Sequence, residues 1–146
     1  MPSQPVCRIV SAEDILPLRA RELRSGKPAD SAAFPEDTFP DTLHFAAYID
    51  GTIAGCLTLI PRNTPHPAWQ LRGMATDSPF QRMGIGSSLL TFAETHLRSK
   101  QNPLHIWCNA RVAAVPFYKK SGYRVISQGF IIQDIGLHYK MEKIIL

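Results

Sequence analysis

The chain is 146 residues long and 45% hydrophobic, and its 16 Lys and Arg against 12 Asp and Glu give a net charge of +4. This suits a single compact domain over residues 1–146; no apolar run approaches the roughly 20 residues that span a bilayer, so no membrane partner is expected. Three scattered cysteines form neither a disulfide framework nor a Cys-x-x-Cys metal pair, and residues 1–8 lack the basic and apolar regions of a secretory leader, so a cytoplasmic protein without a metal is expected.

In chain order, Val6 to Val10 reads as a short strand, and Ser11 followed three residues later by Asp14 reads as the start of a helix. That helix carries Ile15, Leu16, Leu18 and Leu23, with Pro17 implying a kink or a later start. Arg19, Arg21 and Arg24 project from it. The ordinary reading is a solvated face; the alternative is that Arg19 or Arg24 turns toward a substrate carboxylate or phosphate. Residues 25–42 contain four prolines or glycines and read as a long loop with room for a short helix, of the kind that is functional or mobile. Leu43 to Ile49 and residues 52–60 are β runs joined at Asp50-Gly51, a hairpin signal, and residues 69–76 complete an antiparallel meander of three strands. His44 on the first of these runs is ordinarily a sheet-packed histidine; facing an acceptor is the alternative.

The meander leads into Asp77-Ser78-Pro79, a short loop with two glycines, and a helix beginning near Ile85 whose apolar face is Ile85, Leu89, Leu90, Ala93 and Leu97. A helix start leaves backbone N–H groups unpaired and carries partial positive charge, so glycines there make an anion site that a phosphate can approach closely. Arg82 adds a full charge. Leu89 stands where a dinucleotide fingerprint needs its third glycine, and no Gly-Lys-Ser/Thr follows, which sets aside two familiar phosphate loops. Asn102-Pro103 ends the helix, residues 104–108 form a fifth strand, residues 109–120 a short helix closed by Ser121-Gly122, residues 123–127 a further run, and residues 135–142 the last strand. No aromatic-basic nucleic-acid module appears, so no nucleic-acid partner is expected.

What remains at the glycine loop, Gln81-Arg82-x-Gly84-x-Gly86, resembles the pyrophosphate-binding motif (Q/R-x-x-G-x-G/A) of the GNAT superfamily, the acetyl-coenzyme A-dependent N-acetyltransferases. Met74-Ala-Thr-Asp-Ser-Pro79 resembles the preceding strand end and turn of that family, and Phe117-Tyr118-Lys119-Lys120-Ser121-Gly122-Tyr123 its Phe-Tyr-x-x-x-Gly-Phe/Tyr segment. The resemblance implies an α/β fold with a mixed, largely antiparallel sheet flanked by helices, whose fourth and fifth strands splay apart to admit acetyl-coenzyme A. It implies acetyl transfer to a primary amine of a small molecule or peptide by direct attack in a ternary complex; dimers are common in the family, so a homodimer is among the expectations. A coenzyme-binding sensor or interaction module of the same fold is the alternative, and transfer of a longer acyl chain is a variant within the family.

Carried over residue by residue, the family pattern lays pantetheine along Met74, Ala75 and Thr76 like an added strand, with a main-chain N–H, that of Met74, polarising the thioester carbonyl. The amides of Arg82, Met83, Gly84, Ile85, Gly86 and Ser87 hold the pyrophosphate, and Tyr118 protonates the departing thiolate. The asparagine that family members often place seven residues before that tyrosine is Arg111 here, while Asn109 lies nine before; both are candidates for coenzyme contact. The fifth strand carries no acid to act as base, so His138 in the last strand is the first candidate, with His44 and Glu36 behind it. Cys108 as an acetyl carrier is disfavoured by its apolar strand. The loop at 25–42, with Phe34, Glu36, Asp37 and Phe39, falls on the acceptor side in the family pattern and is the candidate for specificity.

Overall fold

The computed structural model describes residues 4–146; the first three residues of the segment read as lacking a leader lie outside it. Strand β1 (Val6–Val10) leads into helix α1 (Ala12–Leu23), followed by two 3-10 turns, Ala29–Ala32 and Pro35–Thr38. Strands β2 (Leu43–Ile49), β3 (Thr52–Arg62) and β4 (Ala68–Thr76) form the meander, and helix α2 (Ile85–Arg98) crosses to β5 (Leu104–Arg111). A 3-10 turn at Val112–Ala114, helix α3 (Val115–Lys120), β6 (Arg124–Val125), β7 (Phe130–Ile132) and β8 (Gly136–Ile145) complete the chain. The eight strands form one sheet in the order β1-β2-β3-β4-β5-β8-β6, with β7 added to β8. All pairings are antiparallel except β4 with β5.

The sheet is covered on both faces, and side-chain alternation sorts its residues between them. Phe45, Ala47, Leu57, Leu59, Leu71, Cys108 and Ala110 pack with the apolar stripe of α2. Ala46, Cys56 and Ala75 pack with Ile15 and Leu18 of α1. Burial on both faces is why residues 54–60 of β3 read as an almost unbroken apolar run.

Several expectations change. Helix α1 starts at Ala12 with Pro17 inside it, where the Asp14 carboxylate accepts the Ser11 N–H at 3.2 Å. There is no later start. Arg19 is not on a solvated face: it is fully buried and bonded to Asp37. The segment 109–120 is not one helix, because β5 stays in register with β8 as far as Arg111 opposite His138. Hydrogen bonding to a neighbouring strand outweighs local helix preference there, and Pro116, which lacks an N–H, is accommodated in the first turn of α3. The hairpin of β7 with β8 was not legible in the sequence; its strand is three residues long.

Candidate active site

Strands β4 and β5 pair only through Trp69 with Ile106, Gln70 with Trp107 and Leu71 with Cys108, and then part. The divergence begins at a bulge. Cys56 of β3 faces Ala75 and Thr58 faces Arg72, so Leu57 alone opposes both Gly73 and Met74. An extra residue bends a strand and raises its local twist, which turns β4 away from β5. Gly73 takes φ +63°, and a Cβ there would sit 2.7 Å from Arg19 Nε and 3.1 Å from the Phe34 ring, so both conformation and space require glycine. An isolated glycine in a strand pattern is a bulge signal that the sequence reading passed over.

Between the parted strands lies a cavity of about 910 Å³, lined by Met74, Ala75 and Thr76 from β4, Asn109 and Arg111 from β5, and Tyr118 from α3, with Arg82 and His138 also on its wall. The structure therefore gathers eight of the predicted site residues. Met83, Gly84, Ile85, Gly86 and Ser87 follow Arg82 into the start of α2 and are not part of that lining; Ser87 lines a separate pocket with Cys7 and Phe92. Gly84 is the residue before the first turn, with φ +78° and no side-chain cap, so the first N–H groups of α2 carry no capping acceptor. Ile85 turns its side chain into the core, leaving its amide as the group that can serve a ligand. A Cβ at Gly86 would lie 3.3 Å from the Phe117 ring and 3.4 Å from Met74 Cε, so the loop lies close against two residues of the cavity wall.

Tyr118 is buried, and its hydroxyl donates to Met74 Sδ at 3.6 Å. Its ring is held edge-on by Phe117 and Tyr123. Burial, with the nearby Cys108 adding to it, pushes the phenol well above its ordinary value, so it stays protonated throughout the neutral range. Burial likewise pushes the Cys108 thiol up to about 12, which leaves it inert at neutral pH. His138 is buried on the far wall, and its Nδ1 lies 2.7 Å from the Gly136 carbonyl. A carbonyl only accepts, so Nδ1 carries the hydrogen and the neutral ring keeps its lone pair on Nε2.

The other two base candidates are engaged elsewhere. His44 is buried with Nε2 on the Asp37 carbonyl at 3.0 Å and Nδ1 on the Thr58 hydroxyl at 2.8 Å, so both nitrogens are occupied. Glu36 is paired with Arg62 at 2.7 Å and lies 3.7 Å from Arg72; the Arg62 hydrogen bond holds its carboxyl below the usual range. Of the loop's specificity candidates, Phe34 reaches the cavity, with the Arg72 and Arg19 guanidiniums 3.9 Å and 4.1 Å from its ring centre. Asp37 instead anchors the loop through Arg19. Arg72, whose charge in the sequence hints with the arginines of α1 at an anionic group on the acceptor, also lines the cavity, where the bend of β4 places it.

The open cleft between parted strands, with an uncapped glycine turn at one end and a protonated phenol in its wall, is the architecture of a coenzyme-dependent acyl-transfer fold, and the comparisons agree. Residues 12–123 match the acetyltransferase (GNAT) family, and the chain belongs to it as a GNAT-type N-acetyltransferase. A relative 31% identical over 140 residues, covering 93% of this chain and 93% of its own length, is the uncharacterized N-acetyltransferase YitI of Bacillus subtilis (strain 168). Among solved structures, Escherichia coli ElaA superposes with a TM-score of 0.79 at 9% identity, over 96% of this chain and 99% of its own. An aminoglycoside 6'-N-acetyltransferase complexed with coenzyme A superposes with a TM-score of 0.72 at 15% identity, over 97% of each chain. Both likenesses speak for the fold. Among the described residues no helix is long and apolar enough to cross a membrane.

Proposed function

We propose that this N-acetyltransferase moves the acetyl group of acetyl-coenzyme A to a primary amine of a small molecule or peptide by direct attack in a ternary complex. The observation that carries this reading is the meeting, at the mouth of the parted strands, of the Met74 bulge, the Tyr118 hydroxyl and Gly86.

The residues fit the coenzyme in chemistry and in space. The amides of residues 82–87, with the Arg82 guanidinium, hold the pyrophosphate at the helix start. Pairing with β5 ends at Leu71, so the edge of β4 at Met74, Ala75 and Thr76 is free to take pantetheine as an added strand, with Asn109 opposite. When bound, the coenzyme supplies the thioester. The Met74 N–H stabilises negative charge on its carbonyl oxygen, and Tyr118 delivers a proton to the leaving sulfur. His138 receives the proton of the attacking amine on Nε2. It lies opposite Arg111, and cross-strand neighbours share a face, so it stands on the α1 side, away from the helix α2 start. That separation leaves room for the acceptor to enter from the face opposite the pyrophosphate.

The test is calorimetric titration with acetyl-coenzyme A, followed by thiol release across a panel of amines. Binding with turnover of at least one amine supports the reading; binding without turnover of any amine favours the sensor alternative. Gly86→Leu, whose side chain must displace Phe117, is expected to weaken coenzyme binding about tenfold or more. Unchanged affinity would place the pyrophosphate elsewhere. His138→Ala is expected to lower kcat/KM about 10²-fold, and an unimpaired kcat/KM would end its role as base.

A further inference from the structure

The cavity wall is strongly cationic away from the helix α2 start. Arg24, Arg72 and Arg111 line it together with Arg82, whereas Glu22 is the one carboxylate there among the described residues. Glu22 is already engaged, accepting from the Ser78 N–H at 3.0 Å and the Ser78 hydroxyl at 2.7 Å. The Arg24 and Arg111 guanidiniums converge on a single acceptor, the Leu23 carbonyl in the last turn of α1, at 3.2 Å and 3.5 Å. Neither has a carboxylate partner among the described residues. Two cations that line the cavity, share one carbonyl and have no other hydrogen-bond acceptor among the described residues form a site that an oxyanion completes.

The sheet says which ligand that oxyanion belongs to. Ala110 packs with the α2 core, so its strand neighbours Asn109 and Arg111 face the α1 side. Arg72 follows Leu71, which is also in the α2 core, and it faces Phe34 of the loop after α1. These guanidiniums therefore stand on the acceptor face, beside His138, with the sheet between them and a phosphate held at the start of α2. Arg111 carries a further sign of crowding, since burial and the Arg24 charge both hold its pKa below the usual value.

Building on the proposed acetyl transfer, we infer that the acceptor is an amine bearing a carboxylate or phosphate, clamped by Arg24 and Arg111. The amine then lies toward His138 and the Met74 bulge, and neutral or polycationic amines are poor acceptors.

The experiment compares thiol release for amines that differ only in the anion: amino acids against their carboxamides, and phosphoethanolamine against ethanolamine. The charged member of the carboxylate or of the phosphate pairs is expected to lead by about tenfold or more in kcat/KM, and the pair that leads identifies the anion. In Arg24→Gln that ratio is expected to collapse toward unity while acetyl-coenzyme A affinity stays within about twofold, and in Arg111→Gln the ratio is expected to collapse likewise. Equal use of both members, or a ratio unmoved in the variants, overturns the inference. So does loss of coenzyme affinity in Arg111→Gln with selectivity intact, which would return that residue to the coenzyme. A second arm needs no turnover: N-acetyl amino acids and their amides are titrated into the coenzyme A-saturated protein. Tighter binding of the acids, lost in both variants, supports the clamp even where no amine is acetylated, an outcome that would sink the proposed reaction alone. Equal binding there overturns the clamp.

Discussion

Tyr118→Phe is expected to lower kcat about 10²-fold or more while leaving the affinity for acetyl-coenzyme A unchanged. The substitution removes one oxygen and keeps the ring, so the edge contacts with Phe117 and Tyr123 survive and the structural cost is the single hydroxyl bond to Met74 Sδ, about 1 kcal/mol. The chemical cost is larger because of where the hydroxyl sits. A phenol raised by burial is a weak acid toward a thiolate in water. A sulfur leaving against the same buried wall is also short of solvation, however, and holds its proton more strongly than it would in water. The same burial that raises the donor raises the acceptor, and the gap between them narrows. The raised phenol also makes the wild-type rate insensitive to its ionisation: no loss of activity assignable to Tyr118 is expected below about pH 10. Steady-state kinetics with parallel calorimetry checks both parts. A variant with unimpaired kcat would remove Tyr118 as the acid.

The second large effect is on stability. Asp37→Ala is expected to destabilise the fold by about 3–5 kcal/mol, because it leaves the Arg19 charge buried without its partner. Asp37 accepts from Arg19 at 2.8 Å and 2.9 Å and from the Phe34 N–H at 2.8 Å; Arg19 also donates to the Ala32 carbonyl at 3.2 Å and to the Thr58 hydroxyl. This network joins α1, the loop after it and β3, and so it sets the wall on which Phe34 and Arg72 rest. Replacing both partners, Arg19→Met with Asp37→Leu, is expected to cost less than Asp37→Ala alone, since no unpaired charge remains. Denaturant midpoints measure each.

The pH dependence has a definite sign. Burial acts to raise the Asp37 carboxyl, but the Arg19 and Phe34 hydrogen bonds outweigh it and hold the folded value below the ordinary 3.8. A depressed carboxyl binds fewer protons folded than unfolded, so its stabilisation is fully present above about pH 4 and is lost as pH falls through the folded value. In Asp37→Ala the midpoint should therefore depend less on pH below about 4 than in the unaltered protein. An identical slope would mean that other carboxylates carry the acid sensitivity.

Much of the site was legible in the chain because its signals are local. The two glycines before Ile85, the apolar stripe of α2 and the segment from Phe117 to Tyr123 are short-range patterns, and their spacing survives into the structure as the uncapped turn, the core face and the Tyr118 wall. The hairpin at Asp50-Gly51 is of the same kind, with both residues at positive φ. Where the reading departed from the structure, the deciding contact was distant in sequence. Arg19 is a solvated helix residue by its neighbours and a buried one by a partner 18 residues away. Residues 109–111 are helical by composition and strand by pairing with β8.

By itself the sequence determined the order and type of most of the main elements and the glycine turn before α2, because periodicity, glycine conformation and helix ends depend on residues a few positions apart. Tertiary structure alone decided where the cleft opens, since a one-residue bulge at Gly73 takes its meaning from the strands on either side. It also decided which side of the sheet each arginine serves. A charged residue shows its sign in the sequence, but the carbonyl, ring or carboxylate it faces is brought there only by the fold.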